Sequence, residues 1–170
     1  PAAGAELGRI PEQVLVSSTG VIGVPLPIDI IERGIGGISG DLQDNPLVGA
    51  EGIMTTDRHP KALSTSVGDA TITWVAKGSG MIEPNMATML VYIFTDASYD
   101  AVTLDRMLRA AVELSFNMLS VDSDTSTSDT CAILANGLAG TVDELAFVEA
   151  LIAGCEKMTE ILARDGEGAN

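Results

Sequence analysis

Hydrophobic positions along the chain follow two periods, and the switch between them sketches the fold. Leu104, Met107, Leu108, Ala111, Ser115, Met118 and Leu119 fall on one face of a 3.6-residue repeat, with Asp105, Arg106, Arg109 and Glu113 off it, which predicts an amphipathic helix. Leu145, Val148, Ile152, Cys155 and Thr159 predict a second helix running to about Ala163. Thr141 and Glu144 have the spacing of a capping box that would open it. A shorter helix is expected after Pro27, with Ile28, Ile31 and Ile35 on one side and Gly36, Gly37 and Gly40 ending it. Residues 71–76 alternate and are rich in β-formers, so they read as a strand. Residues 88–95 form the strongest strand of the chain, and their continuous apolar run predicts burial on both faces. Shorter strands are expected at 13–16, 50–53 and 131–135.

Strands and helices are thus mixed in order, the pattern of an α/β protein with sheet and helix in layers. A length of 170 residues suits one domain, able to bury roughly 70% of its unfolded surface. Nine Lys and Arg stand against 24 Asp and Glu, a net charge of −15 with no basic run, which argues against a nucleic-acid partner. No window approaches the length of a membrane span, and the first twenty residues lack the pattern of a signal peptide. Cys131 and Cys155 are far apart and have no neighbours at metal-ligand spacing, so two thiols in a reducing cytoplasm are expected rather than a disulfide or zinc. Asp122, Asp124 and Ser126 imitate the start of a calcium loop, but Thr127 and Ile133 stand where that loop needs Gly and Glu. No metal is expected. With a single histidine, His59 beside Pro60, a Ser-His-Asp triad is not expected either.

The candidate chemistry lies at residues 77–90, where a loop containing Gly78, Gly80 and Pro84 runs into Thr88 and then a strand. A threonine after a small residue at such a junction becomes its own base if the Ala87–Thr88 bond is cut. The freed α-amine, with an ordinary pKa of about 7.7–8.0, takes the proton from the hydroxyl of the same residue. One residue then supplies nucleophile and base, and no triad is needed.

The segment around Ala87 and Thr88 resembles the self-cleavage motif of the ornithine acetyltransferase family, also called glutamate N-acetyltransferase. Further segments match in order: Ser18-Thr19-Gly20, Met54-Thr55-Thr56-Asp57 with Pro60-Lys61, the 122–130 region, and Arg164-Asp165-Gly166-Glu167-Gly168-Ala169. The resemblance implies a layered αββα sandwich of N-terminal-nucleophile type, present here in part. It also implies a cut dividing the chain into 1–87, the end of an α-chain portion, and 88–170, the start of a β-chain portion. By the same resemblance Thr88 is the nucleophile, and Thr19 with the Gly20 amide forms the oxyanion hole. Thr55, Lys77 and Glu167 would bind substrate. The implied reaction moves acetyl from N-acetyl-L-ornithine to L-glutamate in cytoplasmic arginine biosynthesis. It needs no cofactor, although some relatives accept acetyl-CoA as donor. The family's assembly is an α/β heterotetramer, and its members extend beyond both ends of this sequence. Asn170 departs from the threonine usual after "GEGA".

The residues by themselves support acyl chemistry at Thr88 and leave the acceptor open. Glutamate would make the protein a transferase, water an N-terminal-nucleophile amidohydrolase or aminopeptidase. A folded but inactive portion of the transferase is the third reading.

Overall fold

The computed structural model describes residues 1–82, 89–124 and 126–166, and its contacts divide the chain into two compact units, Pro1–Asn45 and Pro46–Asn170. The first unit contains helices α1 (Ala2–Glu6) and α2 (Ile28–Ile35), with 3-10 turns at Pro11–Gln13 and Ile38–Asp41. Helix α2 begins where Pro27 predicts it, and Gly37 ends the segment in a left-handed conformation at φ 84°. The Gly37 amide donates to Glu6 Oε1 at 2.9 Å, tying the end of that segment back to α1. The strand expected at 13–16 is not formed. A 3-10 turn occupies its start, Leu15 and Val16 are exposed, and among the described residues no strand pairs with this segment.

The second unit is built on a mixed sheet in the order β1-β2-β3-β4. Helix α3 (Pro46–Gly52) precedes β1 (Lys61–Val67), β2 (Ala70–Lys77) and β3 (Leu90–Ala97). Helix α4 (Ala101–Glu113) leads to β4 (Thr130–Gly140), and α5 (Glu144–Arg164) follows. The strand expected at 50–53 is instead the end of α3, where Pro46 sits at a helix start as its fixed φ favours. Strand β1 is not anticipated by the alternation rule, since Ala62, Ser64 and Ser66 dilute its pattern. Val67 and Ala70 pair across a two-residue turn whose first residue, Gly68, has φ 56°, the position a tight hairpin reserves for glycine. Strands β3 and β4 are parallel, and α4 makes the crossover that parallel pairing requires.

One face of the sheet carries the core. Leu63, Trp74, Ile93 and Ile133 form a row across all four strands. Helix α5 packs on β1 and β2 and beside α4. The approach of α5 is so close at Trp74 that a Cβ on Gly154 would lie 2.2 Å from the indole, and only glycine fits. Phe147, Leu151, Met158 and Leu162 complete the buried face of α5. On the other face the row Thr73, Phe94 and Leu134 leaves Phe94 45% and Leu134 44% exposed, so β3 is not buried on both sides as its apolar run predicts.

Two helix boundaries differ from the sequence pattern. Helix α4 stops at Glu113 and a 3-10 turn carries Phe116–Met118, with the Ser115 hydroxyl donating to the Ala111 carbonyl at 2.6 Å. The N-cap of α5 is Asp143, which accepts from the Ala146 amide at 2.8 Å, and not the Thr141–Glu144 box. Asp is as good a cap as Thr, and Asp143 lies one position before the helix begins.

Candidate functional site

The register of the sheet brings the chemistry-bearing segments to one edge. Lys77 ends β2, Leu90 begins β3 and Thr130 begins β4, and these three residues pair across the sheet. Lys61, the first residue of β1, pairs with Ala76 beside them. The loops before Lys61, after Lys77, before Leu90 and before Thr130 therefore all emerge at the same end. Four strands in this order, with β1 and β3 running opposite to β2 and β4 parallel to β3, leave no other placement.

Hydrogen bonds join these loops. Thr56 Oγ1 and Ser79 Oγ are 2.6 Å apart, and the Gly78 amide donates to Asp57 Oδ1 at 2.7 Å. Asp122 accepts from the Met81 and Ile82 amides and from the Asp124 amide at 3.3 Å. Met81 itself has φ 57°, an uncommon conformation for a non-glycine residue, and the Asp122 carboxylate helps to hold it there. These bonds bring the start of the 122–130 region against the backbone that follows β2.

Asp129 lies directly before β4, against Met89 at the start of β3. Its Oδ1 accepts from the Met89 amide at 3.0 Å, and the Thr130 amide donates to the Met89 carbonyl at 3.0 Å. The other carboxylate oxygen is buried and has no hydrogen-bond partner among the described residues. Burial pushes the Asp129 carboxyl up to about 6, although the Met89 N–H and the charge of Lys77 pull it back. Asp129 lines a cavity of ≈ 130 Å³ with Met89, Val112, Phe116, Asn117, Thr130 and Cys131. A carboxyl that titrates near neutrality beside a lysine is of the kind found where protons are moved, and also in purely structural pairs. Burial pushes Cys131 up to about 12 and Cys155 up to about 11, so neither thiol is a thiolate at neutral pH.

Of the residues singled out in the sequence, Lys77 is buried at the sheet edge, 2% exposed. Thr55 is exposed in the loop before β1, and its amide donates to Asp57 Oδ2 at 3.1 Å. Thr19 is half-buried and Gly20 exposed, in irregular backbone of the first unit. Ala87, Thr88 and Glu167 lie outside the described residues. Met89, next in the chain after Thr88, and Asp165, two before Glu167, are described and both lie at the same edge. His59 is a half-exposed loop residue, its Nδ1 3.5 Å from Asp165 Oδ1.

Asp57, Lys61, Asp129 and Asp165 do not stand out in the sequence, nor does any role of Asp122 other than its calcium-like spacing. The first two stand inside the "MTTD…PK" segment, and Asp165 inside "RDGEG", so the signal was present in motifs whose role was assigned to a neighbour. Among the described residues no group of His, Cys, Asp and Glu has the arrangement of a metal site, and no helix is long and apolar enough to cross a membrane.

The sequence profile of the ArgJ family matches residues 2–170. The arginine biosynthesis bifunctional protein ArgJ 2 of Clostridium acetobutylicum is 53% identical over 166 residues, which is 97% of this chain and 43% of the relative. ArgJ of Rhodococcoides fascians is 46% identical over 166 residues, covering 96% and 40%. The glutamate N-acetyltransferase Oat2 of Streptomyces clavuligerus is 43% identical over 164 residues, covering 96% and 42%. The chain thus spans about two-fifths of the length of the curated relatives it matches.

Proposed function

The chain belongs to the ArgJ family, and from that membership we propose that it forms part of an acyltransferase site that moves acetyl from N-acetyl-L-ornithine to L-glutamate through Thr88. The observation that supports this reading is the convergence at one sheet edge of the Thr55 loop, Lys77, the Met89–Leu90 junction and Asp129. A nucleophile at position 88 would be held from its C-terminal side by the Asp129–Met89 bond.

Maturation begins with attack of the Thr88 hydroxyl on the Ala87 carbonyl carbon. The acyl group passes from nitrogen to oxygen, and water hydrolyses the ester to leave the Ala87 carboxylate and a free Thr88 amine. In the first half-reaction that amine accepts the hydroxyl proton as Oγ attacks the acetyl carbonyl of N-acetylornithine. The proton then goes to the departing ornithine nitrogen, and acetyl remains on Thr88 as an ester. In the second half-reaction the glutamate amine attacks this ester and Thr88 recovers its proton, a ping-pong cycle. General-base assistance of this kind contributes about 10²–10⁴-fold. The Thr19 hydroxyl and Gly20 amide would hold the oxyanion, each donor lowering the barrier by about 3–4 kcal/mol. Lys77 would pair with a substrate carboxylate and Glu167 with the ornithine ammonium. Acetyl-CoA remains an alternative donor within the same chemistry.

An αββα sandwich of N-terminal-nucleophile type would cover the sheet face on which Phe94 and Leu134 are exposed. Cytoplasmic residence and an assembly of two cleaved α and two β chains belong to the same proposal. The test is product analysis on the intact protein with N-acetylornithine, with and without glutamate. N-acetylglutamate should form in step with ornithine, and Thr88→Ala should abolish both. Acetate released at a rate indifferent to glutamate would instead make the protein an amidohydrolase.

A further inference from the structure

Lys61 is a buried cation, 1% exposed, and it sits between two buried carboxylates. Its Nζ lies 2.6 Å from Asp57 Oδ1 and 2.6 Å from Asp165 Oδ2, and all three side chains are 0% exposed. Its third bond, to the His59 carbonyl, is longer at 3.5 Å. Every carboxylate oxygen of the group is in use. Asp57 Oδ1 also accepts from the Gly78 amide at 2.7 Å, and Oδ2 from the Thr55 amide at 3.1 Å. Asp165 Oδ2 also accepts from the Arg58 amide at 3.0 Å, and Oδ1 from Arg58 Nε at 3.2 Å.

Burying ions forfeits their hydration, so a buried ion group is by itself weak evidence of a stabilising role. What an apolar trio cannot do is direct backbone. The carboxylates fix three amides: Thr55, Arg58 and Gly78. Each substrate-binding residue proposed above lies within two positions of a member of this group or of an amide it fixes. Thr55 is two residues from Asp57, Lys77 adjoins Gly78, and Glu167 follows Asp165 by two.

We infer that Asp57, Lys61 and Asp165 are positioning residues that hold the Thr55 loop, the Lys77–Gly78 turn and the end of α5 in one substrate-binding register. The inference rests on the acyl-transfer reading for the identity of the substrate. The cluster acts through the backbone it fixes. Supporting groups of this kind matter because displacement of a binding group by about an ångström can cost up to about 100-fold in rate.

The test uses Asp57→Asn in the intact protein. The amide side chain keeps the shape but can accept at one end only, so either the Thr55 or the Gly78 bond is lost. At a temperature where circular dichroism shows the variant folded, KM for N-acetylornithine should rise about tenfold with kcat within about twofold. Amide exchange should quicken in 54–59 and 77–82 and not in the core strands. Unchanged KM and unchanged local exchange, with only a lower Tm, would overturn the inference and leave the cluster a structural ion group. If Asp57→Asn does not fold, Lys61→Arg, which keeps the charge while altering its reach, is measured in the same way with the same two outcomes. A wild-type protein that transfers no acetyl group sinks the acyl-transfer reading alone, and the exchange measurement then decides the positioning role by itself.

Discussion

The two units of this chain use similar residues to opposite effect. In Pro1–Asn45, Val16, Val21, Ile22 and Leu42 are each 70% or more exposed, and α2 buries none of its isoleucines. In Pro46–Asn170, Trp74, Ile93, Phe147 and Leu151 are fully buried. The difference is architectural. Apolar side chains in the second unit share a sheet face, and α5 is a 21-residue helix that covers several strands at once. The described elements of the first unit include no sheet of its own, and helices of five and eight residues gain little stability by themselves. Hydrophobicity marks which residues are available for a core; strand pairing decides which of them find one.

The comparison predicts where substitutions hurt. Trp74→Ala should cost about 3–5 kcal/mol of unfolding free energy in a denaturant melt, as expected for deleting the largest buried side chain. Gly154→Ala should cost about 1–3 kcal/mol, since the new methyl meets the Trp74 ring and α5 must shift. Ile22→Ser, a change at a side chain 76% exposed, should move stability by less than about 0.5 kcal/mol. A loss at Ile22 as large as at Trp74 would break the comparison.

The carboxylates of the second unit should respond to pH in opposite senses. For both Asp57 and Asp165 burial alone would raise the pKa, but Lys61, together with the Gly78 and Thr55 amides at Asp57 and with Arg58 at Asp165, lowers it below 3.8. Their contribution is therefore complete above pH 3.8 and is lost as pH falls through the depressed values. Asp129 is raised to about 6, so its contribution is complete below 3.8 and is lost as pH rises through about 6. Denaturant melts across this range should show Asp129→Asn removing the loss on the alkaline side and leaving the acid limb intact.

Much of the second unit is legible in the sequence. Strands β2 and β3 and helices α4 and α5 follow from period and β-propensity, because each presents one clear face to the core. Strand β1 escapes the period because Lys61 starts it buried and Ser64 and Ser66 interrupt it. The capping residue of α5 is shifted by two positions, since both Thr141 and Asp143 satisfy the preference for a short polar side chain. In the first unit, the apolar residues at 13–16 and the helix after Pro27 look alike in hydrophobicity, and only the second acquires regular structure.

The site divides along a different line. Thr55 and Lys77 lie in motifs visible by resemblance, and the structure brings their segments together at one edge. Asp57, Lys61 and Asp165 are not readable from charge patterning, which assigns isolated charges to the surface. Their pairing spans 104 residues of sequence between Lys61 and Asp165 and exists only after the sheet and α5 have formed. Asp129 is hidden in the same way, its burial decided by β4 and its partner Met89 by β3.

The central claim is that Thr88, freed by cleavage after Ala87, carries the acetyl group. Intact-mass and N-terminal analysis of the full-length protein, mixed with N-acetylornithine and no glutamate, tests it most directly. A chain beginning at Thr88 and carrying one acetyl ester, lost when glutamate is added, is the result expected. An active protein whose chain remains uncut at Ala87–Thr88, or whose acetyl group resides elsewhere, would contradict it.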